Sequence, residues 1–220
     1  MSDPRQQIID TYLALDSRGL NQGSSGSVSV RDGAKGFFLT PSSLPYDLMQ
    51  PEDILRVDIS SGEVTGKRKP SSEYPIHLAL MRERLDAQTI THTHGANTTA
   101  VSCLRRDLPA VHYLVALFGG PQIRCAPYAT FGTDALSTNV VTALHRRRAA
   151  LMANHGLVVL GRDLDQALAL TAEVETLAKL YLDASAAGDP HILDDAEMER
   201  VIKKFRDYGY GPVPDQNDSA

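Results

Sequence analysis

The stretch TITHTHGANTTAVSCL, residues 89–104, sets His92 and His94 two positions apart behind Ile90 and follows them with Gly95 and small polar residues. Side chains at i and i+2 of a strand leave the same face, roughly 7 Å apart along the chain. Read as the end of a strand, AQTITHTH therefore presents two imidazoles side by side, with Ile90 continuing that face toward a core. Such a pair is either structural or half of a metal site, and a metal needs further ligands. Working outward, MANHG supplies His155 at the end of an apolar strand, just before a glycine. PSSEYPIH supplies Glu73 just inside a helix start, where backbone N–H groups also favour anions. A histidine at a strand end is more often a hydrogen-bonded core or surface residue, and it is the HxH pair that argues for a metal. Three imidazoles and one carboxylate make a tetrahedral set suited to Zn2+, the carboxylate being the ligand most easily displaced. Mn2+ and Co2+ are the alternatives in a cell, where availability also decides. His77, His112, His145 and His191 lack a strand-partner pattern and read as structural or surface residues.

The rest of the chain alternates helix and strand signals. DPRQQIIDTYLALDSRG opens with Asp3 and Pro4 and stops at Gly19, with Ile8, Ile9, Tyr12 and Leu13 on one face. GSVSVRD, GFFLTP and ILRVDI read as short strands separated by glycine, proline and Asp-Gly turn signals. A helix is predicted from Pro75 to about Arg84 with Ser71 or Ser72 as N-cap. Others are predicted over 96–106, Thr133–His145 and 164–184. IRCAPY reads as a strand, and AALMANHG and LVVLG as two strands joined at Gly156. A last helix starts at Asp194, with Glu197 forming a capping-box-like pair, and ends near Tyr208 and Gly209. The expectation is one α/β domain over residues 1–220, with helices covering a mixed, largely antiparallel sheet and a short mobile tail from about 209.

Composition fits a domain of this kind. The 220 residues are 42% hydrophobic and 22% charged, enough for one sizeable core, and the formal net charge is −5. That balance argues against a nucleic-acid partner, and the cationic run HRRR at 145–148 reads as a helix cap. Cys103 and Cys125 form no CxxC pair, which suits a reducing compartment. Neither a long apolar run nor an apolar signal core is present, so no membrane partner is expected and the cytoplasm is the expected location.

GLNQGSSGSVSVR, LTPSSLPY, KPSSE, HTHGANTTAVSCL, PAVHYLVALFGG, CAPYATFGT and NHGLVVLG occur in that order. Together, over roughly residues 5–210, they resemble the class II aldolase and adducin family, on its L-fuculose-1-phosphate aldolase branch. The resemblance implies an αβα fold, a C4 homotetramer and a Zn2+ held by His92, His94 and His155. It also implies reversible cleavage of a ketose 1-phosphate to dihydroxyacetone phosphate and an aldehyde. The ketose would be L-fuculose 1-phosphate or a 5-methylthio- or 5-deoxyribulose 1-phosphate. Glu73 then ligands the resting metal and serves as the acid/base. Gly26, Ser27, Ser42, Ser43, Ser71 and Ser72 match the positions that bind the substrate phosphate, through hydroxyls and free N–H groups. The family commonly carries Asn where this chain has Ser27, and Gly where it has Ser43. Tyr113 matches a tyrosine sent across a subunit interface to the aldehyde oxygen, Tyr208 matches a mobile active-site tyrosine, and Phe131 lines the aldehyde pocket. An L-ribulose-5-phosphate 4-epimerase or a methylthioribulose-1-phosphate dehydratase of the same fold is the alternative enzyme. An epimerase needs a second acid/base pair, and HYLVALFGGPQIRCAPYATFGT looks more like the aldolase tyrosine pattern. A non-enzymatic adducin-like scaffold would be expected to lose metal ligands, and here all four are present.

Overall fold

A computed structural model of the chain describes residues 3–208. Its strands are β1 (Ser27–Asp32), β2 (Gly36–Leu39), β3 (Leu55–Asp58), β4 (Val64–Thr65), β5 (Thr89–Thr93), β6 (Leu108–Pro109), β7 (Gln122–Ala126), β8 (Ala149–Met152) and β9 (Gly156–Gly161). They form one sheet in the order β4-β3-β2-β1-β5-β9-β8-β7-β6. Each neighbouring pair is antiparallel except β7 and β8, which are parallel. The exception has a covalent reason. The other sequential neighbours in the sheet are joined by turns, loops and short 3-10 segments, whereas β7 and β8 are bridged by helix α4 (Asp134–Ala143), long enough to return the chain to the same end of the sheet.

The remaining helices are α1 (Pro4–Ser17), α2 (Tyr74–Glu83), α3 (Ala96–Cys103), α5 (Leu164–Ala187) and α6 (Asp195–Asp207). One face of the sheet packs Phe37, Leu39, Val57, Ile90, Met152 and Val158 against Ile76, Leu80 and Met81 of α2 and Leu136 and Val140 of α4. The other packs Leu151, Leu157 and Val159 against Val174, Leu177 and Ala178 of α5, with Met198 of α6 beneath. The sheet is thus covered on both faces, as an αβα sandwich should be, and its central strands show it. All six residues of β9 and all five of β5 are buried. Within β5 the alternation divides the layers: Ile90 joins the α2/α4 core, while Thr91 Oγ1 lies 2.8 Å from Thr171 Oγ1 of α5. Removing a side chain such as Ile90 to alanine costs about 2–5 kcal/mol.

Several sequence boundaries move. Helix α2 starts at Tyr74 with Glu73 as N-cap, and Ser71 Oγ accepts the Glu73 N–H (3.2 Å) instead of capping the helix itself. Helix α3 ends at Cys103, because Arg105 takes a left-handed φ of 52°. AALMANHG is a strand only to Met152; a turn follows, with Asn154 at φ 54°, and Gly156 opens β9. The carbonyls at and beyond the end of α4 are taken by Arg124, which donates to Ala143 and His145, and by Arg84, which donates to Leu144 and Arg147. The tail expected from about 209 lies outside the described residues.

Candidate metal centre and its cleft

The antiparallel ladder brings the three histidines together. His92 pairs across the sheet with Ser27 on one side and Val158 on the other, and His94 follows β5 directly. His155 enters from the turn ahead of β9. One ring nitrogen from each lies within 4.8 Å of the others, and His94 Nε2 is 3.0 Å from His92 Nε2. His92 Nδ1 lies 3.0 Å from the Leu157 carbonyl oxygen. A carbonyl only accepts, so Nδ1 carries the hydrogen and the Nε2 lone pair faces its fellow histidines. Burial holds all three imidazoles below the ordinary range. His92 lies well below it, His94 is lowered, and His155 falls to about 4 with added repulsion from His94. All three are neutral near pH 7, the form that ligates.

Glu73 completes the cluster. Its Oε1 lies 3.9 Å from His155 Nε2, and its Oε2 is buried with no hydrogen-bond partner. Burial raises the carboxyl to about 7, opposed in part by the N–H of Gly132. A buried oxygen without a partner beside three neutral imidazoles is a donor set short of a cation. The residues present fit a divalent metal of the Zn2+ kind.

Behind the cluster sits His77, one turn after Glu73 on α2 and fully buried. Its Nε2 is 2.7 Å from Ser27 Oγ and its Nδ1 is 2.7 Å from Ser29 Oγ. Burial lowers it to about 3. This clamp pins the helix carrying Glu73 to the strand paired with His92. It also corrects the expectation for Ser27, whose hydroxyl is committed to His77 and does not line the cleft.

The cleft itself encloses about 300 Å3. Gly26, Ser42, Ser43, Ser71 and Ser72 line it beside Glu73, His92, His94 and His155, as does Phe131. The Gly26 loop is held from the core, where the Tyr46 hydroxyl donates to the Ser25 carbonyl (2.9 Å) and the Tyr12 hydroxyl lies between the carbonyls of Gly26 (2.8 Å) and Ser25 (3.0 Å). In a trans peptide the Gly26 N–H points the opposite way from the Ser25 carbonyl, away from the two tyrosines. Gly26 needs to be glycine: φ is 81°, and a Cβ would sit 2.6 Å from the His92 carbonyl oxygen. Ser43 holds a left-handed φ of 58°, a conformation that glycine takes without strain. Tyr113 and Tyr208 do not line their own chain's cleft. Both are exposed, and Tyr113 stacks with Phe205 of α6 at 6.2 Å.

Sequence reasoning missed Ser24, Ser25, Tyr128 and Asn154, which also line the cleft. The serines were legible as the start of the SSGS run around Gly26. Asn154 adjoins His155, but nothing local marks which side its turn exposes.

A model of the class II aldolase and adducin N-terminal domain matches residues 6–182. The chain is 45% identical over 205 residues to the L-fuculose phosphate aldolase of Escherichia coli (strain K12), covering 93% of this chain and 94% of that protein. It is 44% identical over 205 residues to the 5-methylthioribulose-1-phosphate/5-deoxyribulose-1-phosphate aldolase of Rhodospirillum rubrum, covering 93% and 92%. Among solved structures, an L-fuculose 1-phosphate aldolase superposes with a TM-score of 0.89 at 38% identity, covering 94% of this chain and 97% of that one.

Proposed function

The chain belongs to the class II aldolase and adducin family, and from that premise we propose that it is a metal-dependent aldolase, a carbon–carbon lyase acting on a ketose 1-phosphate. The products are dihydroxyacetone phosphate and an aldehyde. The observation that carries the reading is the convergence of three neutral imidazoles and the unpartnered Glu73 Oε2 in one cleft. L-fuculose 1-phosphate and the 5-methylthio- and 5-deoxyribulose 1-phosphates are the candidate substrates, because the relatives named for them match this chain almost equally.

His92, His94, His155 and Glu73 would hold the metal, Zn2+ by the chemistry of the donors. When bound, it supplies Lewis-acid stabilisation of the negative charge that develops beside the ketose carbonyl as the C3–C4 bond breaks. Glu73 handles the proton at C3. Its carboxyl is buried beside His155 in the cleft, where it can take up or return that proton away from bulk water. Gly26 and the hydroxyl pairs Ser42–Ser43 and Ser71–Ser72 bind the phosphate, with Ser24 and Ser25 beside them. The Ser27 hydroxyl takes no part in that contact, being committed to His77.

Tyr113 and Tyr208 lie outside their own cleft, and that favours their serving a neighbouring subunit of a homotetramer. There the Tyr113 phenol would protonate the aldehyde oxygen or donate to it. Both cysteines are free, in keeping with the cytoplasm. No helix among the described residues is long and apolar enough to cross a membrane.

The test is a cleavage assay on metal-loaded protein with L-fuculose 1-phosphate and 5-methylthioribulose 1-phosphate, reading dihydroxyacetone phosphate through a coupled dehydrogenase. Release of dihydroxyacetone phosphate is expected. Its absence with both substrates would reject the aldolase reading in favour of an epimerase or dehydratase.

A further inference from the structure

Asn154 occupies the turn directly before His155 and lines the cleft with Tyr128 and Phe131. Its φ of 54° lies in the left-handed region, which asparagine tolerates better than most residues. Two bonds fix it. Its N–H donates to the Ser102 carbonyl (3.2 Å), and its side-chain Oδ1 accepts from Arg105 Nε at 2.6 Å. A guanidinium has donors and no acceptor, so Arg105 holds the oxygen end of the amide. What Asn154 retains for a ligand is its NH2 group. Arg105 is itself anchored, since its N–H donates to the same Ser102 carbonyl at 3.0 Å and its backbone is left-handed. The same guanidinium carbon lies 5.6 Å from the Tyr128 ring centroid. One cation thus orients two residues at the cleft mouth, where the neighbouring Phe131 and Tyr128 are exposed aromatic rings.

All the candidate ketose 1-phosphates share the portion that becomes dihydroxyacetone phosphate. They differ in the fragment that leaves as aldehyde, and a cleft can tell them apart only there. One amide donor among aromatic rings suits a short fragment with a single hydroxyl and an apolar end. We propose that Asn154, positioned by Arg105, is a specificity-determining residue that donates a hydrogen bond to a hydroxyl on the aldehyde fragment. The favoured substrate class is then a 6-deoxyketose 1-phosphate, which releases a 2-hydroxyaldehyde, over a 5-deoxyketose 1-phosphate, which lacks that hydroxyl. The inference rests on the aldolase reading of the site.

The experiment compares kcat/KM on L-fuculose 1-phosphate and 5-deoxyribulose 1-phosphate, with metal content measured on every variant because His155 is adjacent. Asn154→Gly suits the left-handed backbone and removes the amide donor. The wild type is expected to prefer L-fuculose 1-phosphate. In this variant the ratio of the two kcat/KM values should fall about five- to tenfold, the worth of one neutral hydrogen bond. Arg105→Met should lower the ratio by a smaller factor. A ratio unchanged in metal-loaded Asn154→Gly, or a wild type preferring the 5-deoxy substrate, would overturn the inference while leaving the aldolase standing. No dihydroxyacetone phosphate from the wild type with either substrate would bring down both.

Discussion

On the metal side of the cleft, His92, His77 and Glu73 are buried and braced across β1, β5 and α2, whereas at its mouth, next along the chain from His155 and Gly132, Asn154, Phe131 and nearby Tyr128 are exposed on loops and turns. The braces differ in kind as well as in burial. The inner end is fixed by ladder register and by serine hydroxyls 2.7 Å from both nitrogens of His77. At the mouth, one surface arginine reaches Asn154 and Tyr128, and the Asn154 N–H donates to the Ser102 carbonyl. A shared reaction needs its metal ligands and acid/base in one rigid arrangement, and substrate choice can be left to loops that change without disturbing them. The two relatives with different named substrates at 45% and 44% identity accord with that division.

The comparison can be broken most directly at the metal end. Replacing His94 by alanine removes one of three imidazoles, and metal affinity should fall by more than about 100-fold, with activity lost alongside it. Metal analysis after dialysis is the readout, and full occupancy in the variant would refute the ligand assignment. His77→Leu tests the brace instead of the ligands. It leaves two buried serine hydroxyls without partners and should cost about 2–4 kcal/mol in urea unfolding. A loss under about 0.5 kcal/mol would mean the clamp contributes little.

The pH response of the metal-free protein sharpens the contrast. Glu73 is raised in the folded state from its ordinary 4.5 to about 7. The unfolded chain therefore releases that proton first, and stability falls as pH rises through this window. His155, lowered from 6.5 to about 4, acts in the opposite direction: the unfolded chain takes up its proton first, and stability falls as pH drops below 6.5. Glu73→Gln should remove the first slope and leave the second. The chelated variant should exceed the wild type in stability by more at pH 8 than at pH 4. Equal differences in urea midpoint at both pH values would contradict the cause assigned to the Glu73 shift. The smallest effect belongs to Ser43→Gly, which relieves a left-handed serine and should stabilise by about 1 kcal/mol or less. A destabilised variant would show instead that the serine hydroxyl makes a contact outweighing the strain.

What could be read from the sequence follows the same division. The HxH pair and Ile90 are legible because a strand's period is local, and Glu73 is legible because the helix start is marked by Pro75. The largely antiparallel sheet followed from short turn-separated strands. Ser27 was misplaced because its motif position says it adjoins Gly26, but not that its side chain faces α2, where His77 takes it. Asn154 and Tyr128 were missed because their access to the cleft depends on a left-handed turn and on Arg105 folding across from the end of α3. Neither has a local pattern. Tyr113 and Tyr208 were assigned from motif matches alone, and neither lines the cleft of the chain that carries it.

The measurement that most directly tests the central claim is metal content and turnover of Glu73→Gln measured side by side with the wild type on L-fuculose 1-phosphate. Glutamine keeps the shape and much of the ligation while removing the proton-transfer group. The prediction is a folded variant that retains metal on its three histidines and loses turnover by about 100- to 10,000-fold. Near-normal turnover with metal in place would contradict the assignment of Glu73 as the acid/base.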